Sequence, residues 1–222
     1  MQRGELLTIP DAAAALHVSH RQVRRLAAAG VLGKPARGLI DRDSVDRYRD
    51  ANLGGRTRSW AEHTAWAAAA LLAGQTASWL RASQTSRLRR SLRDVHDVED
   101  LLARMRGRTV VQIYDAHRAA VTRLRDKVVA SDWGVIGIAP LSESSVDGYL
   151  AWDEVDRLVE SLGLRISTHG NVTLRVTRFD LQHARGRVAT RTIAALDAAT
   201  NSDARANGVG RAVLQKLLAV SR

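Results

Sequence analysis

The strongest constraint on the fold is a pair of short predicted helices near the N-terminus, each opened by capping-box spacing. Thr8 precedes Asp11 by three positions, and Ser19 precedes Gln22 by three. Each pair can therefore exchange side-chain and backbone hydrogen bonds at a helix start. Gly30 can end the second helix, because glycine readily adopts the left-handed conformation found there. Since only a tight turn fits before Ser19, the pattern predicts a helix–turn–helix.

A basic loop follows the two helices. Residues 33–38, Gly-Lys-Pro-Ala-Arg-Gly, combine turn-forming residues with the cations of Lys34 and Arg37. Short apolar segments flank this loop, and a third helix is predicted over 43–48. A loop of this kind between short apolar segments is typical of a wing. We therefore predict a winged helix–turn–helix domain over residues 1–54.

Polar side chains cover the outer face of the second helix once its apolar residues face the first. A recognition helix presents these positions to the DNA major groove. We predict base-edge contacts from Arg21 and Arg24, because arginine paired with guanine is the commonest specific contact, with Ser19 and His20 as lesser candidates. Six further basic residues are predicted to lie along phosphates: Arg25, Lys34, Arg37, Arg42, Arg56 and Arg58.

In the order of its features this segment resembles the helix–turn–helix of excisionase and MerR-like proteins. The resemblance covers about a fifth of the chain and implies double-stranded DNA as the partner. The matching residues are Leu7-Thr8-Ile9-Pro10-Asp11-Ala12-Ala13, Leu16-His17-Val18-Ser19, Gln22-Val23-Arg24-Arg25-Leu26, Gly30 with Leu32, and Ile40-Asp41 with Val45.

The chain is strongly basic, and its charge is unevenly distributed. Its 222 residues carry a formal net charge of +11. Residues 1–60 hold 11 basic and 6 acidic side chains, residues 61–128 hold 12 and 7, and residues 129–222 hold 11 and 10. A surface that faces a polyanion is therefore expected in the first two parts. A high arginine content can also reflect genome composition alone.

Residues 55–130 are predicted to form a basic segment of helices with some strand. Ser59 and Glu62 have capping-box spacing for one helix, and a second helix over 85–94 carries four arginines around two inward leucines. Alternating residues over 109–114 predict a strand. The four arginines could contact phosphates or simply face solvent, and the pattern leaves both interpretations open.

Residues 131–222 are predicted to form a near-neutral α+β domain. Two predicted strands, 164–167 and 172–177, flank the turn His169-Gly170-Asn171, which is typical of a hairpin. Helices are predicted near 152–162, 190–200 and 203–220. The chain as a whole is therefore predicted to be α+β and mainly α.

A second resemblance concerns residues 60–222. The segments that suggest it are Tyr114-Asp115-Ala116-His117, Val146-Asp147-Gly148-Tyr149, Gly170-Asn171-Val172-Thr173-Leu174-Arg175-Val176, Ala195-Leu196-Asp197 and Asp203-Ala204-Arg205. With these segments, a basic winged-helix protein with an appended α+β domain is similar to antitoxins of the AbiE (abortive infection) type. The resemblance implies an antitoxin that binds repeats in its own promoter and counters a nucleotidyltransferase-like toxin. The N-terminal pattern differs from that family's winged helix.

Several classes of enzyme are excluded by missing motifs. The chain has no cysteine, which excludes disulfides, thiolate metal sites and cysteine nucleophiles. It also lacks a glycine-rich phosphate loop ending in Lys-Ser or Lys-Thr, a Gly-x-Ser-x-Gly elbow, and the Gly-Ser with paired aspartates that a nucleotidyltransferase toxin needs. We therefore expect a protein that is not an enzyme and uses no cofactor.

The acidic stretch 94–100 could in principle hold a divalent metal. Asp97 and Asp100, however, lie where helix N-terminal acids are favoured, so a structural role is expected and no metal is predicted. The N-terminal residues do not lead into the apolar core of a signal peptide, and the apolar run 65–73 is too short to cross a bilayer. We expect a soluble, cytoplasmic protein.

The favoured interpretation is a sequence-specific transcriptional repressor, the autoregulating antitoxin of a toxin–antitoxin pair, with possible self-association on DNA. Two alternatives stay open. An excisionase-like recombination directionality factor would use the same DNA-binding fold but would leave about three quarters of the chain unexplained. A MerR-like regulator unrelated to a toxin would need a dimerising coiled coil, and no sustained heptad pattern follows Tyr48.

Overall fold

The computed structural model describes residues 6–16, 18–52 and 58–221. The N-terminal unit has its own small apolar core, in which Ala12, Val23, Leu32 and Ile40 are fully or almost fully buried. Its strands pair antiparallel, with Leu6 opposite Asp41. The unit consists of β1 (Leu6–Thr8), α1 (Ile9–Leu16), α2 (His20–Ala28), β2 (Leu39–Asp41) and α3 (Arg42–Asn52).

Residues 58–221 form a larger α+β unit. Its helices are α4 (Glu62–Leu72), α5 (Ala82–Arg93), α6 (Val98–Met105), α7 (Arg118–Arg125), α8 (Val155–Leu162), α9 (Leu181–Val188), α10 (Arg191–Ala199) and α11 (Ala204–Ser221). Its strands are β3 (Val110–Asp115), β4 (Val146–Ala151), β5 (Arg165–Ile166) and β6 (Val172–Thr177). The fold is α+β and mainly α, as predicted.

The strands of this unit make one mixed sheet in the order β4-β6-β3-β5. β4 runs parallel to β6, and β3 runs antiparallel to both β6 and β5. The hairpin predicted at His169-Gly170-Asn171 is therefore wrong, because β3 lies between β5 and β6. Gly170 still needs to be glycine, since a Cβ atom there would lie 2.0 Å from the carbonyl oxygen of Tyr114.

Helices cover both faces of the sheet. On one face Val172, Leu174 and Val176 of β6 pack with the buried residues of α7 and α8. On the other face the side chain of Tyr149 joins a core made largely by α4, α10 and α11. Alternation along each strand produces this division, because successive side chains point to opposite faces.

A network of charged side chains lies between the sheet and the helices of the second face. The guanidinium of Arg108 donates to the carboxylate of Asp197 at 2.7 Å and to the Tyr149 hydroxyl. The Tyr149 hydroxyl donates to the Asp197 carboxylate at 2.7 Å. Arg175 pairs with Asp147 at 2.6 Å and lies 3.4 Å from Asp197. Two guanidinium groups thus face two carboxyl groups in the interior, where a buried charge needs a partner. Burial raises the pKa of Asp147, and the guanidinium of Arg175 opposes this rise.

Burial and neighbouring charges shift the pKa values in this network. Burial would lower the pKa of Arg175, but the carboxylates of Asp147 and Asp197 outweigh it and raise that pKa. Burial would raise the pKa of Asp197, but the guanidinium groups of Arg175 and Arg108 hold it below its usual range. Arg175 and Asp197 therefore stay charged inside the protein.

Glu62 does not form the capping box that its spacing from Ser59 predicts. α4 begins at Glu62 without a side-chain cap, and the Glu62 carboxylate instead accepts hydrogen bonds from the backbone of Arg178 and Phe179, at 2.7 and 3.2 Å. The predicted pairing is wrong because a long-range partner takes the carboxylate. Glu62 therefore ties the start of α4 to the end of β6.

The two C-terminal segments predicted from sequence share one sheet and one core. β3 comes from residues 55–130 and pairs with β6 from residues 131–222. α4 and α10 likewise contribute to the same cluster of buried side chains. The predicted boundary near residue 130 therefore passes through a shared interior. Within the described residues, no helix has the length and hydropathy needed to cross a bilayer.

Candidate nucleic-acid interface

The two predicted helix starts are present in the N-terminal unit. The Thr8 hydroxyl donates to the Asp11 carboxylate at 2.6 Å, and the Asp11 backbone N–H donates back to the Thr8 hydroxyl at 3.3 Å. Ser19 caps α2 by accepting from the backbone N–H of Gln22 at 3.2 Å. Gly30 follows α2 with a φ of 71°. The starts of α1 and α2 are thus held by local hydrogen bonds.

The outer face of α2 carries the predicted base-reading residues. Val23 and Leu26 are buried against the rest of the unit. The predicted DNA contacts in this helix and at its N-cap are all exposed: Ser19, His20, Arg21, Arg24 and Arg25. In the described part of the chain no carboxylate pairs with Arg21, Arg24 or Arg25. Among the described residues, the helix therefore presents three guanidinium groups without a carboxylate partner, together with an imidazole, on one surface.

The basic loop beside α2 is also exposed. Lys34 and Arg37 both face solvent, and a bridge between Ala36 and Leu39 closes the tip of the loop. Gly38 has a φ of 81°, a conformation that favours glycine in a tight turn. The loop between α2 and β2 is thus a short, closed turn that exposes both cations.

The other predicted phosphate contacts have different environments. Arg42 lies in the first turn of α3, where its guanidinium is 3.6 Å from the Asp46 carboxylate. Arg58 is exposed at the start of the second unit. Arg56 lies outside the described residues. The structure therefore groups Arg21, Arg24 and Arg25 on one helix but gives Arg42 an acidic neighbour.

The N-terminal unit rests on the turn between β5 and β6. A Cβ atom at Gly33 would lie 2.8 Å from the Thr168 methyl group, and one at Gly30 would lie 3.2 Å from Ile166. The imidazole of His169 lies 4.0 Å from the Asp43 carboxylate. The segment after α2 is therefore packed against the second unit.

One group of side chains could hold a divalent cation at this contact. Ligand atoms of Asp41, Asp43 and His169 lie within 4.8 Å of one another, and carboxylate with imidazole is a donor set that transition metals accept. In the stretch 94–100, by contrast, Asp97 caps α6 through the Asp100 N–H at 2.7 Å, as predicted. The Asp100 carboxylate accepts from Arg104 at 2.9 Å.

Comparisons with protein-family models, curated proteins and solved structures find no match to this chain. No family is therefore assigned. The resemblances to excisionase, MerR-like and AbiE-type proteins stay predictions that rest on the residues quoted for them.

Two features of the molecule escape the sequence pattern. Residues 146–151 form β4, but their run Val-Asp-Gly-Tyr-Leu-Ala interrupts an apolar strand with a charge. The buried network of Arg108, Tyr149 and Asp197 joins residues up to 89 positions apart. The sequence does contain one signal for this network, the carboxylate of Asp147 within an otherwise apolar strand. A charge at such a position indicates a buried partner elsewhere in the chain.

Proposed function

We propose that this protein is a sequence-specific DNA-binding transcriptional repressor, with α2 as the recognition helix of a winged helix–turn–helix. The observation that carries the proposal is the exposed face of α2, where Arg21, Arg24 and Arg25 have no carboxylate partner in the described chain. Clustered like charges favour a polyanionic partner, and arginine can also recognise guanine through two hydrogen bonds.

The basic residues around α2 fit an orientation in which α2 enters the major groove of DNA. Lys34 and Arg37 project from the adjoining loop, where they would reach the sugar–phosphate backbone beside the groove that α2 enters. Arg25, at the last turn of α2, would also hold a phosphate. Arg21 and Arg24 lie closer to the N-terminal end of α2, the part of a recognition helix that contacts base edges.

The finer proposal is an autoregulating antitoxin that acts in the cytoplasm. The DNA-reading unit takes up only the first 54 residues or so, and the folded unit of residues 58–221 needs a role of its own. Under the proposal, that unit contacts a nucleotidyltransferase-like toxin encoded beside it or a second copy of this chain. No catalytic step is assigned to it.

DNA reading is tested by replacing Arg21 and Arg24 together with alanine in the full-length chain. Binding to the duplex upstream of its own gene is compared with binding to a shuffled duplex. We expect the double variant to lose most of the discrimination, at about 1 to 3 kcal/mol for each arginine. Arg123→Ala, an exposed arginine on α7, is the control and keeps the discrimination. Equal discrimination by both variants would contradict the role of α2.

The antitoxin role is tested separately by co-expression with the product of a neighbouring nucleotidyltransferase-like gene. The proposal predicts that growth inhibition by that product is relieved by this protein. Absence of such a neighbour, or growth inhibition that persists on co-expression, would remove the antitoxin role while leaving the repressor role intact.

A further inference from the structure

α5 carries an exposed arginine face that is separate from the basic surface of α2. Leu88 and Leu92 are buried and anchor the helix. Every arginine of α5 is exposed: Arg87, Arg89, Arg90 and Arg93. Arg87 donates to the backbone carbonyl of Ser83 at 3.3 Å, whereas Arg89, Arg90 and Arg93 have no partner within the described residues. α5 contains no acidic residue, and Asp94 follows its last turn.

This spacing places like charges beside one another. Arg87 and Arg90, and Arg90 and Arg93, are three residues apart, and Arg89 and Arg93 are four apart. Side chains at these separations are neighbours on a helix, and like charges there repel. The repulsion weakens α5 in the free protein and is relieved when an anionic surface lies against it.

The position of α5 connects it to the DNA-reading unit. α3 packs against α6. Arg104 of α6 in turn approaches the Ser91 hydroxyl of α5 at 3.4 Å. The acidic groups at the start of α6 are engaged elsewhere: Asp97 caps the helix, Asp100 pairs with Arg104, and Glu99 pairs with Arg211. α6 therefore lies between α3 and α5.

We propose that Arg89, Arg90 and Arg93 of α5 form a second contact surface for double-stranded DNA, which binds backbone phosphates of the duplex read by α2. This inference rests on the proposed function and extends its footprint beyond the N-terminal unit. The surface contributes affinity without sequence preference, because phosphate contacts carry no base information.

The test is a salt series with the full-length triple variant R89Q/R90Q/R93Q. Each phosphate contact contributes about 0.9 to the slope of log affinity against log salt concentration. We expect the slope to become shallower by about 2 to 3. The ratio of the affinity for the upstream duplex to the affinity for the shuffled duplex should not change. The variant should also unfold at a temperature no lower than that of the unaltered protein, since like-charge repulsion has been removed.

The matched control is R118Q/R123Q/R157Q. These three arginines are exposed, lie on α7 and α8, and belong to the opposite face of the central sheet. The control removes the same net charge from another surface, and it also breaks the exposed pairs of Arg118 with Glu143 and of Arg157 with Glu154. What it shares with the α5 variant is the loss of three positive charges. A slope for the α5 variant equal to that of the control would overturn the second contact surface.

The two proposals fail in different ways. If the unaltered protein binds upstream and shuffled duplexes equally, sequence-specific repression fails, whereas a shallower slope for the α5 variant would still support the phosphate contact. If discrimination is present but the α5 variant keeps the full slope, the inference fails alone. If the unaltered protein binds neither duplex, both fail.

Discussion

Arg175 and Asp147 form a two-point ion pair between neighbouring strands, in the interior of the protein. The Arg175 Nε lies 2.6 Å from Asp147 Oδ1, and Nη2 lies 2.8 Å from Oδ2. The two side chains are only 3% and 4% exposed. A pair this deeply buried joins β4 to β6 and leaves an uncompensated charge if either partner is removed.

Asp147→Asn should therefore lower the free energy of unfolding by about 3 to 5 kcal/mol, because Arg175 would keep its charge with one carboxylate fewer. Urea denaturation followed by circular dichroism measures this. Glu154→Gln breaks the exposed pair with Arg157 and should change the same quantity by less than about 1 kcal/mol. Similar effects of the two substitutions would show that the buried pair is not an important stabilising contact.

Because the Tyr149 hydroxyl is buried, we expect the free energy of unfolding to fall at alkaline pH. Burial raises its pKa, and the Asp197 carboxylate raises it further, although Arg108 and Arg175 partly oppose this. A pKa that is higher in the folded state means that the folded protein holds the proton more tightly. The contribution of this proton to the free energy of unfolding is therefore complete below about pH 10, the usual pKa of tyrosine, and is lost as the pH rises above that value.

The measurement is the free energy of unfolding between about pH 9 and pH 11 for the unaltered protein and Tyr149→Phe. The variant is less stable at neutral pH, because Arg108 and Asp197 lose a hydrogen-bond partner. Its stability should nevertheless fall less steeply above about pH 10. Parallel curves for the two proteins would contradict the assignment of this alkaline loss to Tyr149.

Local signals predicted the N-terminal unit better than the rest of the chain. Thr8, Ser19 and Gly30 act within a few residues, so capping and turn chemistry suffice to place α1 and α2. The Glu62 carboxylate and the β5–β6 turn depend instead on partners far along the chain. Neither the insertion of β3 between β5 and β6 nor the buried network can be read from periodicity, because both depend on long-range pairing.

The crossing of α10 and α11 should tolerate no side chain at Gly210. A Cβ atom there would lie 2.4 Å from the Ala199 backbone nitrogen and 2.6 Å from the Ala195 carbonyl oxygen. Gly210→Ala should therefore destabilise the protein by about 1 to 3 kcal/mol, the usual range for overpacking. Thermal unfolding measures this directly.

Gly208 is the matched control for Gly210. It lies in the same helix, and no atom would lie within 4 Å of an added Cβ. Gly208→Ala should raise stability by about 0.5 to 1 kcal/mol, because alanine favours helix over glycine. The two substitutions should therefore change the stability in opposite directions. If Gly210→Ala did not destabilise the protein, the close crossing of α10 and α11 would be contradicted.

Lys34→Ala tests the phosphate contact of the basic loop. Affinity should fall similarly on upstream and shuffled duplexes, and the salt slope should become shallower by about one. Lys127→Ala is the control, because Lys127 is also exposed but follows α7 in the second unit. A loss confined to the upstream duplex would instead place Lys34 at a base edge, and identical slopes for both variants would remove Lys34 from the interface.

The most direct test of the central proposal is the affinity of the unaltered full-length protein for the duplex upstream of its own gene and for a shuffled duplex, across a salt series. We predict tighter binding to the upstream duplex by at least about 10³-fold near physiological salt. Weak binding with a steep salt slope, equal on the two duplexes, would contradict sequence reading by α2 and would leave only a basic surface.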